Sequence, residues 1–126
     1  NDNPIGREEN MLVTATALDI AAAAGIVRQL GGVAIPAHID KISYSIVSNL
    51  GFIPDGQEYS AVEVKDPLKI DKLSESNKLD KYLIIHNSDA HYLWDIHEKE
   101  FFVDVDNISE LDIINKLKCR LHKNIV

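Results

Sequence analysis

Apolar residues recur at three- and four-residue spacing over Ile20, Ala23, Ala24, Val27 and Leu30, the period of one helix face. Asp19 stands where an N-cap belongs and Gly31 where a helix stops, so the pattern predicts a helix between them. Gly25 lowers the intrinsic stability of that helix and calls for a close neighbouring element to explain it. The period then changes. Val33 to Ala37 is a short apolar run that predicts a buried strand, weakened at Pro36, which has no backbone N–H. Ser43 to Leu50 follows as a short Ser-capped helix stopped by Gly51, and residues 52–59 are rich in turn formers. Ala61 to Lys65 predicts a strand with Val62 and Val64 on one face and Ala61, Glu63 and Lys65 on the other. Asp66-Pro67 opens a weak helix to about Leu73. Tyr82 to Ile85 and Phe101 to Val105 predict two further strands, and Ser109 with Asp112 resembles a capping box for a last helix carrying Leu111, Ile114, Leu117 and Leu121 on one side. Alternation of strands with helices predicts an α/β fold with mainly parallel strands and outer helices.

Composition narrows the picture. The 126 residues are 45% apolar, enough for one domain without internal repeats. Thirteen Lys and Arg against 20 Asp and Glu give a formal charge of -7, with no basic stripe, which argues against a non-specific nucleic-acid surface while leaving room for a local phosphate pocket. Cys119 is the only cysteine, so no intrachain disulfide forms and a reducing, cytoplasmic setting is expected; on its helix it is expected in the core. No stretch approaches the roughly 20 apolar residues of a membrane span, so no membrane partner is expected.

Two short strings carry the chemistry. Pro36-Ala37-His38-Ile39-Asp40 and Asn87-Ser88-Asp89-Ala90-His91 each follow an apolar run, at the carboxyl end of a predicted strand, where parallel α/β proteins bind ligands. Asp89 and His91 are two apart and in an extended segment point to one side, so that carboxylate and imidazole can serve one ion or adjacent ions. Mixed nitrogen and oxygen donors suit Zn²⁺, Mn²⁺ or Fe²⁺ better than Ca²⁺. His38, Asp89 and His91 are therefore the candidate metal ligands. Glu63, on the same side as His38 if both strands line one interior, is a candidate for orienting a ligand or a water, with a solvent-facing carboxylate as the alternative. His86 and His97 flank the Asp-x-His, either as further ligands or substrate contacts or as solvated loop residues, and Tyr92 and Trp94 either wall the pocket or pack on a rim. There is no Walker or dinucleotide loop, no Gly-x-Ser-x-Gly elbow and no Cys-x-x-Cys pattern.

Gly31-Gly32-Val33-Ala34-Ile35-Pro36-Ala37-His38, Leu50-Gly51-Phe52-Ile53-Pro54, Ala61-Val62-Glu63-Val64 and Ser88-Asp89-Ala90-His91-Tyr92-Leu93 together resemble the C-terminal half of the polymerase and histidinol phosphatase (PHP) domain phosphoesterases. The resemblance implies part of a distorted seven-stranded β/α barrel around up to three divalent ions. It places His38 at the family's third metal motif and Asp89 with His91 at its fourth, and sets Glu63 on a barrel-lining strand.

The family's opening His-x-His has no counterpart, since no histidine precedes His38. Residues 1–126 are accordingly expected to be the C-terminal portion of one PHP domain, inactive alone. The intact parent is expected to hydrolyse a small phosphoester or an oligonucleotide with metal-activated water. Two rival expectations are a non-catalytic half-barrel that self-associates and an amidohydrolase-type metal hydrolase.

Overall fold

The computed structural model describes residues 4–11, 14–56 and 59–119. Its regular elements are α1 (Ile20–Gln29), α2 (Ile46–Leu50), β1 (Ala61–Val64), α3 (Ile70–Asn77), β2 (Leu83–His86) and α4 (Glu110–Lys118), with short 3₁₀ turns at 67–69, 79–81 and 93–95. The architecture is mixed α/β around a two-stranded parallel sheet.

Local chemistry explains most element ends. The Asp19 carboxylate accepts from the Ala22 N–H at 2.7 Å to start α1. Ser45 and Ser48 cap α2 reciprocally, and Gly51, at φ 82°, supplies the left-handed residue that ends it. Asp66 caps the 3₁₀ turn that runs into α3, so the weak helix expected to end near Leu73 continues to Asn77. Asn77 is then buried, its Oδ1 accepting from the Ile53 N–H at 3.1 Å. Ser109 caps α4 by accepting from the Asp112 N–H, the forward half of the expected box.

β1 and β2 pair in parallel with Ala61 opposite Leu83 and Glu63 opposite Ile85. Val62 and Val64 lie fully buried among Ile39, Ile53, Leu79 and Tyr82, and Ala24 brings α1 onto the same cluster. Burying a side chain of this size contributes roughly 1.5–3 kcal/mol.

Two expected strands are absent. Val33 to Ala37 runs parallel to the other edge of β1, held there by backbone bonds from the Glu63 N–H to Pro36 O and from the Ile39 N–H to Glu63 O, both 2.9 Å. In a regular parallel ladder those two partners would be two residues apart. Here they are three apart, so Ala37 and His38 both lie opposite Glu63 in a bulge, and His38 takes φ 32°. Pro36 removes a donor and His38 breaks the extended backbone, which ends regular pairing. Residues 101–105 likewise form no strand; Phe101 sets its ring edge-on to His86, with centroids 5.5 Å apart.

Two smaller expectations also change. No neighbour accounts for Gly25, because a Cβ there meets nothing within 4 Å. Cys119 is exposed at the end of α4 rather than in the core, and α4 itself buries no residue. Leu121 and His122 lie outside the described residues. Among the described residues no helix is long and apolar enough to cross a membrane.

Candidate metal centre

The site is assembled by Glu63. Its backbone holds the His38 segment, as above, and its Oε2 accepts from the Asn87 Nδ2 at 3.0 Å. Asn87 opens the loop that carries Asp89 and His91, so one residue of β1 ties together the two strings that the sequence singles out. Glu63 thus serves both segments as a tether.

His38 and Asp89 both stand in left-handed backbone, with φ 32° and 52°. Non-glycine residues pay of order 1–3 kcal/mol for such conformations, and they collect at functional sites when the surroundings enforce them. The bulge enforces the first. At the second, the His91 Nδ1–H donates to the Asp89 carbonyl at 2.9 Å, folding the loop back on itself. That bond puts the proton of a neutral His91 on Nδ1 and leaves Nε2 with its lone pair, the tautomer that a metal-binding imidazole needs. His38 Nδ1 is buried and has no hydrogen-bond partner.

The Asp89 carboxylate is already engaged. Lys41 Nζ donates to its Oδ2 at 2.7 Å, and the side chains are 33% and 17% exposed respectively. This ammonium holds the Asp89 carboxyl below the usual carboxylate range; burial opposes the shift, and the nearby His38 and His91 imidazoles add to it. Lys41 is carried there by the turn in which its N–H donates to His38 O, and the Ser45 hydroxyl holds the Lys41 carbonyl at 2.9 Å.

The donors are of the right kind for a divalent cation, two imidazoles and one carboxylate, but they do not enclose one. Among the described residues no group of three or more His, Cys, Asp or Glu side chains is placed to hold a metal ion. Asp40, the other acidic residue of the first string, serves the fold. Its side chain is 1% exposed, and its two oxygens accept from the backbone N–H groups of Lys65, at 2.8 Å, and Asp66, at 3.1 Å.

His86 donates from Nδ1 to Val64 O at 3.0 Å and borders a cavity of about 240 Å³ lined also by Lys65, Asn87, Ser88 and Lys99. His97 is exposed on the same rim, 3.9 Å from the Glu100 carboxylate. Tyr92 and Trp94 stack face to face, with centroids 4.8 Å apart and an interplanar angle of 4°. The Asp95 carboxylate accepts from the N–H groups of His91 and Tyr92, which fixes this aromatic turn against His91. Both rings are largely exposed.

The sequence marks no role for Lys41, and Asn87 only as the start of the second string. The signal for Lys41 was its place three residues after a strand-end histidine; its partner lies 48 residues away and no local pattern names it.

No family model matches this chain, and no curated protein or solved structure matches it either.

Proposed function

We propose that this chain is the C-terminal portion of a PHP-type, metal-dependent phosphoesterase, contributing His38, Asp89 and His91 to a centre completed by residues outside it. The observation that carries the reading is the convergence of the two strings. Glu63 tethers both, and Lys41, in the turn that follows His38, holds the Asp89 carboxylate of the second string at 2.7 Å. The sequence resemblance supplies the reaction class.

Zn²⁺, Mn²⁺ or Fe²⁺ bound there would supply a water of lowered pKa and charge neutralisation for a phosphoryl group. The chain's own residues have definable tasks. His91 presents Nε2 because its Nδ1–H is committed to Asp89 O. Glu63 keeps the Asn87 loop against the His38 bulge, and Lys41 places a cation at the same point, suited to an anionic phosphoester.

The decisive experiment assays this chain with phosphomonoester and phosphodiester substrates in Zn²⁺ or Mn²⁺, with and without chelator. It then repeats the assay on a version extended by the upstream coding sequence. Negligible turnover from the 126 residues and chelator-sensitive turnover from the extended protein are expected. Robust turnover from the short chain overturns its incompleteness, and hydrolysis of amides alone by the extended protein moves the assignment to an amidohydrolase-type enzyme.

A second reading draws on the apolar surface. Ile42, Leu93, Trp94, Phe102 and Ile108 are all exposed, and apolar side chains of this size, where they form a continuous face, mark interaction surfaces. On this reading the chain self-associates. Sedimentation equilibrium tests it: a monomer across the micromolar range rejects it.

A further inference from the structure

β1 and β2 end side by side, and their carboxyl ends open onto the cavity of about 240 Å³ that His86 borders. In open α/β sheets the crevice outside the carboxyl ends of parallel strands is where ligands bind. We propose that this cavity is a subsite for one small oxyanion, a phosphoryl or carboxylate group, bound by the Lys65 and Lys99 ammoniums and the Ser88 hydroxyl. The proposal goes beyond the metal-centre reading and does not rest on it, because His38, Asp89 and His91 are not among the residues that line the cavity.

Three observations point to an anion. Lys41, Lys69 and Lys81 each reach a carboxylate, whereas among the described residues the ammoniums of Lys65 and Lys99 have no partner, and both line this one cavity. They come from segments far apart in the chain. Lys65 follows directly on β1, and Lys99 is brought to the end of β2 because Phe101, two residues on, sets its ring edge-on to His86 at 5.5 Å. The His86 ring is itself held by its Nδ1–H bond to Val64 O at 3.0 Å, so the wall that carries Lys99 rests on the sheet. Between the two lysines in the lining stands Ser88, half-buried, whose hydroxyl has no partner within the chain. Pro67 and Phe101 complete the wall with apolar surface, which strengthens charge-assisted hydrogen bonds made inside it.

Size and charge narrow the ligand. A volume of about 240 Å³ is roughly that of eight waters, room for one phosphoryl or carboxylate group on a short carbon chain. Glu98 and Glu100 also line the cavity, the second 3.9 Å from His97 Nδ1, and their formal charges cancel those of the two lysines. With the whole chain at -7, a polyanion such as a nucleic acid finds no net attraction here. A small oxyanion gains instead from the directed donors, and its binding is correspondingly weak, in the millimolar range.

The test titrates the 126-residue chain with inorganic phosphate, and separately with acetate, at constant ionic strength and with chelator present, and reads backbone amide shifts by NMR. Saturable shifts confined to residues 65, 86–88 and 97–101 are expected; tighter binding of phosphate assigns the subsite to a phosphoryl group, tighter binding of acetate to a carboxylate. Lys65→Gln and Lys99→Gln are each expected to weaken binding by about two- to fivefold, the range of an exposed ion pair, and Ser88→Ala by a similar factor. Glu98→Gln, which removes a competing charge, is expected to tighten it. Lys72→Gln alters an exposed lysine of α3 outside the cavity and is expected to change nothing. Unmoved amide signals at Val62 and Leu79 show that each variant keeps its core. Shifts that fail to saturate with either anion, that centre on other residues, or that weaken equally in Lys72→Gln overturn the subsite. The phosphoesterase reading survives such a failure, because it is decided by metal-dependent turnover of the extended protein, and its own failure leaves these metal-free titrations unaffected.

Discussion

Val62 and Val64 are sealed from solvent, whereas Leu93 and Trp94, thirty residues further on, are 85% and 80% exposed. The difference is not one of composition, for both segments carry large apolar side chains. β1 has neighbours on every side: β2 and the 33–39 segment flank it, and Ile39, Ile53, Leu79 and Tyr82 cover Val62 and Val64. Residues 92–118 have Phe101 against His86 and a few hydrogen bonds to the rest, among them the Ser60 hydroxyl to Leu117 O at 2.6 Å and Lys118 Nζ to Gly31 O, and no residue of α4 is buried. Apolar content becomes a core only when a second surface is present to receive it.

The largest expected effect breaks the packed side of this contrast. Leu79→Ala, at a fully buried position of the core cluster, should cost about 2–5 kcal/mol in a urea titration, enough to unfold most of a marginal domain. Next comes Asp40→Ala, which strands the N–H groups of Lys65 and Asp66 at the end of β1 and should cost about 1–3 kcal/mol.

Asp40 also gives a pH signature. Burial pushes its carboxyl pKa up, but the Lys65 and Asp66 N–H groups and the Lys69 ammonium outweigh that and leave it lowered. The folded state thus binds this proton less readily than the unfolded one. Its stabilisation is complete above the ordinary carboxylate pKa and is lost as pH falls from there through the lowered value. Asp40→Asn should flatten that part of the acid limb in a series of melts against pH.

The third prediction sharpens the contrast within α1, where Ala24 packs into the core while a Cβ on Gly25 would meet only open space. Gly25→Ala should therefore stabilise by about 0.5–1 kcal/mol in the same titration, from backbone entropy alone. The smallest effect belongs to the exposed side: Leu93→Ser and Trp94→Ser should shift stability by no more than about 0.5 kcal/mol. A large loss on either substitution would mean that this turn is packed after all.

Much of the framework was legible because its signals are local. Asp19 and Gly31 bound α1, and Gly51 ends α2, through bonds made within a few residues. The strand faces of Val62, Val64 and Glu63 also followed from alternation, since β1 is regular. The failures share a cause of the opposite kind. Val33 to Ala37 reads as a strand by composition, yet pairing depends on what Glu63 offers from 26 or so residues away and on a backbone reversal at His38 that no apolar pattern encodes. Phe101 to Val105 has strand composition and no strand beside it among the described residues. At the site, residue identity marked His38, Asp89 and His91, but their relation to one another runs through Lys41, Asn87 and Glu63, whose roles are set by tertiary contacts.

The extra residue opposite Glu63 gives the chain an unusual sensitivity to length. Removing Ala37 alone would let the neighbouring strands align without interruption, which a conventional reading would count as an improvement. It would also remove the reason for the left-handed backbone at His38, whose φ of 32° accompanies the extra residue, and so change the direction in which the imidazole leaves the chain. A more orderly sheet and the present placement of His38 are thus competing outcomes at this position, and the irregularity is what keeps the second.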